Sequence, residues 1–129
     1  MWFYYVHKIG LPKPIAKKRA MARGEFLGDF EHLILLAVLR LRDEGYGLTI
    51  RDEINERTGR IISTGAVYTT LDRLERKGLL NSRVAQGGVE RDNRRRRLYA
   101  LTGEGIAAVS ETQTAIRSMS KGLRLGESR

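Results

Sequence analysis

Four consecutive arginines, Arg94 to Arg97, are the densest chemistry in the chain. A guanidinium stays charged at any physiological pH and offers a planar fork of donors that matches phosphate oxygens. Successive side chains of a strand point to opposite faces, so two of the four share each face. The pair turned toward a polyanion would bind phosphates or enter a narrow minor groove, and the other pair would be solvated. A wholly solvated charge run is the plainer reading of the same residues. A second group lies in the segment from Ser63 to Lys77, where Ser63, Thr64, Thr69 and Arg73 occupy the polar side of a helical pattern. Hydroxyls there bond phosphates or base edges, and Arg73 reaches guanine or backbone. Ser63 or Thr64 also serves as a helix cap. Tyr68 either offers its hydroxyl to a phosphate or packs its ring, and Gly65 either admits a close approach or only relieves crowding. Arg76 and Lys77 favour the negative end of the helix, with phosphate contact secondary.

Other chemistries lack their parts. His7 and His32 are the only imidazoles, and His32 beside Glu31 suggests acid–base work without a second ligand or nucleophile. HExxH, a phosphate-binding glycine loop and a supported Ser-His-Asp arrangement are all absent from the sequence. No enzyme activity, metal or cofactor is therefore expected. With no Cys, disulfides, thiolate chemistry and Cys-based zinc sites are excluded, which fits a reducing compartment such as the cytoplasm. The longest apolar run, Leu33 to Leu39, is far below the roughly 20 residues of a membrane span.

Charge points to a polyanionic partner. The net charge is +9 and the pI about 10.4. The excess is concentrated: residues 1–27 carry six bases against Glu25, and residues 83–97 carry six against Glu90 and Asp92. The first ten residues are aromatic and apolar, with their bases after the apolar stretch, the wrong order for an export signal. Pro12 and Pro14 break any helix there. Met21 is an alternative start; a natural basic extension reads equally well.

The elements that must position these groups follow from periodicity. From Asp29 to about Arg42, Phe30, Leu33, Ile34, Ala37, Val38 and Leu41 recur at helical spacing, with Asp29 as the expected N-cap. Leu35, Leu36 and Leu39 widen the stripe, so this helix is central to the core or meets a partner chain, the latter being favoured in so small a domain. After a break at Tyr46-Gly47, Thr49 is expected to cap a short helix carrying Ile50 and Ile54 and ending at Thr58-Gly59. A third helix presents Val67, Leu71 and Leu74 inward and stops at Lys77-Gly78. Leu79 to Val84 and Arg95 to Leu101 alternate as hairpin strands around a charged Gly87-Gly88 loop. Thr102 caps a last helix whose Ile106, Val109, Gln113, Ile116, Ser120 and Leu123 fall at a/d spacing, an imperfect coiled-coil stripe that Met119 extends. Helix, helix, turn, helix, hairpin is the winged helix-turn-helix order, in which the third helix enters the major groove.

The stretches LGDFEHLILLAVL, YGLTIRDEINERTG, STGAVYTTLDRLERKGLL and RRRRLYALTGEG resemble those of PadR-like transcriptional regulators, named for a phenolic-acid decarboxylase repressor. The resemblance runs from about Leu27 to Gly105. It rests on Tyr46-Gly47, the run Gly65, Tyr68, Leu71, Leu74, Glu75, Gly78 and Leu79, and the Leu101-Thr102 step. It implies a homodimer joined through the C-terminal helix, a recognition helix from about Ser63 to Lys77, and repression relieved by a small-molecule effector. The chain resembles the short members with a single C-terminal helix. Some of those hold flat ligands between tryptophans, but Trp2, the only Trp, lies outside the matched region.

The expectation is a mainly α fold with a small β-hairpin, in three parts. Residues 1–26 form a basic extension, 27–101 a winged helix-turn-helix domain and 102–129 a dimerisation helix and tail. The candidate DNA-binding residues are Ser63, Thr64, Gly65, Tyr68, Thr69, Arg73, Lys77, Arg94, Arg95, Arg96 and Arg97. The candidate dimer residues are Ile106, Val109, Gln113, Ile116, Met119 and Leu123. The expected partners are double-stranded DNA, a second copy of the chain and a small-molecule effector, with no membrane. A winged helix that binds RNA would show no dimer, and one that binds protein would show a neutral or acidic recognition face, a reading that Asp72 and Glu75 keep open.

Overall fold

A computed structural model describes residues 27–89 and 95–126. The basic extension, the alternative start at Met21 and Arg94 lie outside the described residues. Four helices and one hairpin make up the rest: α1 (Asp29–Leu41), a 3-10 turn (Arg42–Glu44), α2 (Gly47–Thr58), α3 (Thr64–Arg76), β1 (Leu80–Val89), β2 (Arg95–Leu101) and α4 (Gly103–Ser120).

The helices start where side chains can occupy orphan backbone donors, and twice that side chain is not the expected one. Gly28, rather than Asp29, is the N-cap of α1, and Glu31 reaches back so that its Oε1 accepts the Gly28 N–H at 3.1 Å. Tyr46, rather than Thr49, is the N-cap of α2. The Thr49 hydroxyl accepts the Tyr46 N–H at 3.0 Å and donates to the Glu44 carbonyl at 2.6 Å. In both cases the third helical residue completes half of a capping box. Ser63 and Thr102 cap α3 and α4 directly, accepting from Ala66 N–H at 3.1 Å and Gly105 N–H at 3.0 Å.

Burial puts α1 at the centre. Ile34, Leu35, Ala37 and Val38 are buried, and α1 packs against α2, α3, α4 and β2. Of the three residues that widen its apolar stripe, Leu35 is buried within the protomer. Leu33, Leu36 and Leu39 stay half-buried at the rim. Ile50 and Ile54 of α2, Val67, Leu71 and Leu74 of α3, Leu79 and Leu80, Tyr99 and Leu101, and Ala108 and Val109 of α4 complete one core.

The hairpin is antiparallel, with Leu80 opposite Leu101 and Val84 opposite Arg97. Val89 then lies opposite Arg95, so five steps along β1 match two along β2. The extra length is an irregular bulge within β1, and Gly87-Gly88 belong to that strand rather than to the loop. Tyr99 N–H also donates to the Gly45 carbonyl at 2.9 Å, tying β2 to the α1–α2 connection.

Two glycines permit close approaches that fix the domain. A Cβ on Gly47 would overlap the Tyr68 ring, so α3 rests on the first turn of α2 only because residue 47 has no side chain. A Cβ on Gly105 would overlap the Leu79 carbonyl oxygen. Thr102 secures that junction: its N–H donates to Leu79 O at 3.1 Å and its hydroxyl to Gly78 O at 2.7 Å.

Candidate nucleic-acid interface

The first turns of α3 hold the small polar residues singled out from the sequence. Ser63, Gly65 and Thr69 are exposed, and Thr64 is half-buried. A Cβ at Gly65 would find nothing nearer than Ser63 Oγ at 4.0 Å. No crowding inside the protomer asks for glycine there. The inward face is Val67, Thr70, Leu71 and Leu74, so the core fixes which side of α3 turns outward. Tyr68 is half-buried, its ring over Gly47.

The later turns differ. Arg73 Nε donates to Glu31 Oε2 at 3.1 Å, and Lys77 Nζ donates to the same oxygen at 3.0 Å. Glu31 is only 10% exposed at its side chain. Burial pushes its carboxyl up, but the Gly28 N–H, Lys77 and Arg73 outweigh that and hold it below the usual carboxylate range. Both candidate cations of α3 therefore converge on one buried anion of α1.

Strand alternation separates the wing arginines. The Arg96 guanidinium lies 4.5 Å from the centroid of the Tyr46 ring, a cation–π contact that turns it toward the helical body. Arg97 is exposed, and its Nη1 donates to Ser82 Oγ at 3.1 Å. The Ser82 hydroxyl in turn donates to Glu75 Oε2 at 2.7 Å, so both strands of the wing connect to α3. The side chain of Arg95 and the whole of Arg94 lie outside what is described.

The dimer candidates divide along α4. Val109 is 7% exposed and packs into the protomer's own core beside Ala108, so the expectation that it meets a partner is corrected. Ile106 and Gln113 are half-buried. Ile116 and Met119 are 56% and 81% exposed. Leu123 is exposed too but stands beyond Ser120, where α4 ends, so it does not continue the helical stripe.

Sequence reasoning missed Glu31 as a partner of α3, because the contacts span 42 and 46 residues. It also missed Ile61, 95% exposed in the turn before α3. The i,i+4 spacing of Arg73 and Lys77 was the available signal for a shared anion, without naming it. Among the described residues no group of His, Asp and Glu is placed to hold a metal, and no helix is long and apolar enough to cross a membrane.

Residues 35–111 match the model of the "Transcriptional regulator PadR-like family". The chain belongs to that family. Transcriptional regulator Rv3488 of Mycobacterium tuberculosis is 36% identical to this PadR-like chain over 88 residues, covering 67% of this chain and 76% of the relative. RosR of H. salinarum has a solved structure 33% identical, with a TM-score of 0.58 over 74% of this chain and 79% of that one. A PadR family transcription regulator from Clostridium difficile is 26% identical, with a TM-score of 0.58 over 71% and 92% of the two chains. PadR-like proteins are transcriptional regulators rather than enzymes, and they bind DNA. The winged helix-turn-helix order read from the sequence is the fold of these neighbours.

Proposed function

We propose that this PadR-like chain is a cytoplasmic, homodimeric repressor that reads an inverted-repeat operator and is released by a small-molecule effector. The observation that carries the reading is the open first turn of α3. Ser63, Gly65 and Thr69 face solvent on a helix whose opposite side is locked into the core, and no side chain of residue 65 stands between that backbone and an incoming groove. A helix of about 10–12 Å diameter fits the B-DNA major groove, and side chains near its N-terminus reach base edges. Thr64, Thr69 and the outward edge of Arg73 supply the base contacts, and the Tyr68 hydroxyl a phosphate contact. Arg95 and Arg97 contact the flanking backbone, while Arg96 holds the wing against Tyr46. Lys77, tied to Glu31, contributes less than its charge suggests.

Dimerisation is supported by α4. Its 18 residues span about 27 Å at 1.5 Å per residue. The first half is buried through Gly105, Ala108, Val109 and Thr112, and the second half leaves Ile116 and Met119 exposed on the continuation of that stripe. A second copy would cover them, setting two α3 helices on successive turns of one DNA face. The sign of regulation and the effector rest on the family resemblance.

The test is the salt dependence of binding. Arg95→Ala with Arg97→Ala should weaken binding to every duplex and reduce the log K against log salt slope by about 2. Thr64→Ala or Thr69→Ala should change sequence preference with the slope unaltered. An unchanged slope in the double arginine variant would refute the role of the wing.

A further inference from the structure

Glu31 is a buried carboxylate of α1 whose charged partners both stand on the recognition helix. Its Oε1 completes the N-terminal cap of α1, and its Oε2 receives Arg73 and Lys77 at 3.1 and 3.0 Å. The anion is 10% exposed, whereas Arg73 is 44% and Lys77 32% exposed. The two cations therefore lie over the carboxylate, with their outer edges toward solvent. Arg73 uses Nε for the pair, so the edge of the guanidinium formed by its two Nη groups remains turned away from Glu31. The three charges of this trio thus sum to +1, whereas Arg73 and Lys77 without Glu31 would sum to +2. Free lysines and arginines on a DNA-facing helix bind any phosphate, and such contacts add affinity without sequence information.

We infer that Glu31 is a specificity-determining positioning residue: by holding Arg73 and Lys77 it restrains backbone binding by α3 and leaves discrimination to the base contacts. This rests on the reading that α3 faces DNA. Glu31 itself acts through the two cations and touches no nucleic acid. Its lowered carboxyl pKa keeps the anion charged at neutral pH, so the restraint is present under working conditions.

The experiment compares the full-length protein with Glu31→Gln, Glu31→Gln/Lys77→Gln and Glu31→Asp on a random-sequence duplex and on a duplex selected by the wild type. Salt is titrated from 50 to 200 mM. Glu31→Gln is nearly isosteric and frees the cations. One additional phosphate contact steepens the slope by about 0.9, which over this fourfold salt range is about a threefold larger loss of affinity. The expected result is tighter binding of Glu31→Gln to the random duplex, a slope steeper by about 1, and a smaller ratio of selected to random affinity. Glu31→Gln/Lys77→Gln, with the net charge of the wild-type trio, should return the slope toward the wild-type value. A purely structural role would weaken both duplexes together with no change of slope, and that result overturns the inference. Where melting shows that Glu31→Gln does not fold, Glu31→Asp decides. It keeps the trio at its wild-type net charge, so a slope and ratio near the wild-type values are expected, and a slope steeper by about 1 would overturn the inference. Absence of duplex binding by the wild type at 50 mM salt would overturn the DNA reading and this inference with it. Normal wild-type binding with an indifferent Glu31→Gln would overturn the inference alone.

Discussion

Replacing Gly105 with Ala tests the packing that sets α4 on the winged domain. In a helix interior Ala is better than Gly by about 0.8–1.0 kcal/mol, so propensity alone predicts a gain. The structure predicts the opposite. The new methyl would overlap the Leu79 carbonyl, which also accepts the Thr102 N–H at 3.1 Å. Overpacking of this kind costs roughly 1–3 kcal/mol. Relief requires α4 to back away, which strains the Thr102 bonds to Leu79 O and Gly78 O and the cap from Thr102 to Gly105, each worth about 1 kcal/mol. Taken together the net loss is about 2 kcal/mol, or a Tm lower by roughly 8–16 °C for a domain of this size. Far-UV circular dichroism melts at one fixed protomer concentration measure it, since any dimer makes Tm depend on concentration. Gly103→Ala, at the exposed start of the same helix, should stay within about 0.5 kcal/mol of wild type. A Gly105→Ala protein as stable as wild type, or more so, would refute the close approach.

Acid should destabilise the protein in two windows. Burial lowers the His32 pKa against an opposing pull from Asp29, so below about pH 6.5 the unfolded chain binds a proton that the folded one resists, and stability falls. His32→Phe should flatten urea midpoints between pH 7 and 5.5. Glu31 is depressed instead, so its contribution is full above about pH 4.5 and is lost as pH falls through its lower folded value; Glu31→Gln removes that second decline. Ile116→Asp with Met119→Asp should convert a dimer to a monomer in sedimentation while leaving the helical signal, because both side chains lie outside the core. Val109→Ala should do the reverse, lowering stability by about 1–2 kcal/mol without selectively breaking the dimer.

Much of the fold was legible because it follows from patterns inside single elements. The inward set Val67, Leu71 and Leu74, the caps Ser63 and Thr102, and the stop at Lys77-Gly78 are local and came out as read. Asp29 and Thr49 were misread by position: both are good cap types, but the residue three places into the helix, Glu31 or Thr49 itself, does the capping. Gly87-Gly88 reads as a loop by composition, whereas the bulge absorbs them into β1. Val109 fits a coiled-coil stripe as well as a core stripe, since both recur every three to four residues, and only the extent of the domain under α4 decides between them. The Tyr46–Arg96 contact and the Glu31 cluster join distant segments, and no periodicity reports such pairs.

In the proposed dimer two α3 helices, spaced by α4, read two symmetric half-sites. Selection of bound duplexes from a random library by the full-length protein, followed by sequencing, tests it most directly. The expected result is an inverted repeat whose half-site centres lie one helical turn apart, about 10–10.5 base pairs or a multiple of that. Enriched sequences with no two-fold symmetry, or no enrichment over the starting library, would contradict it.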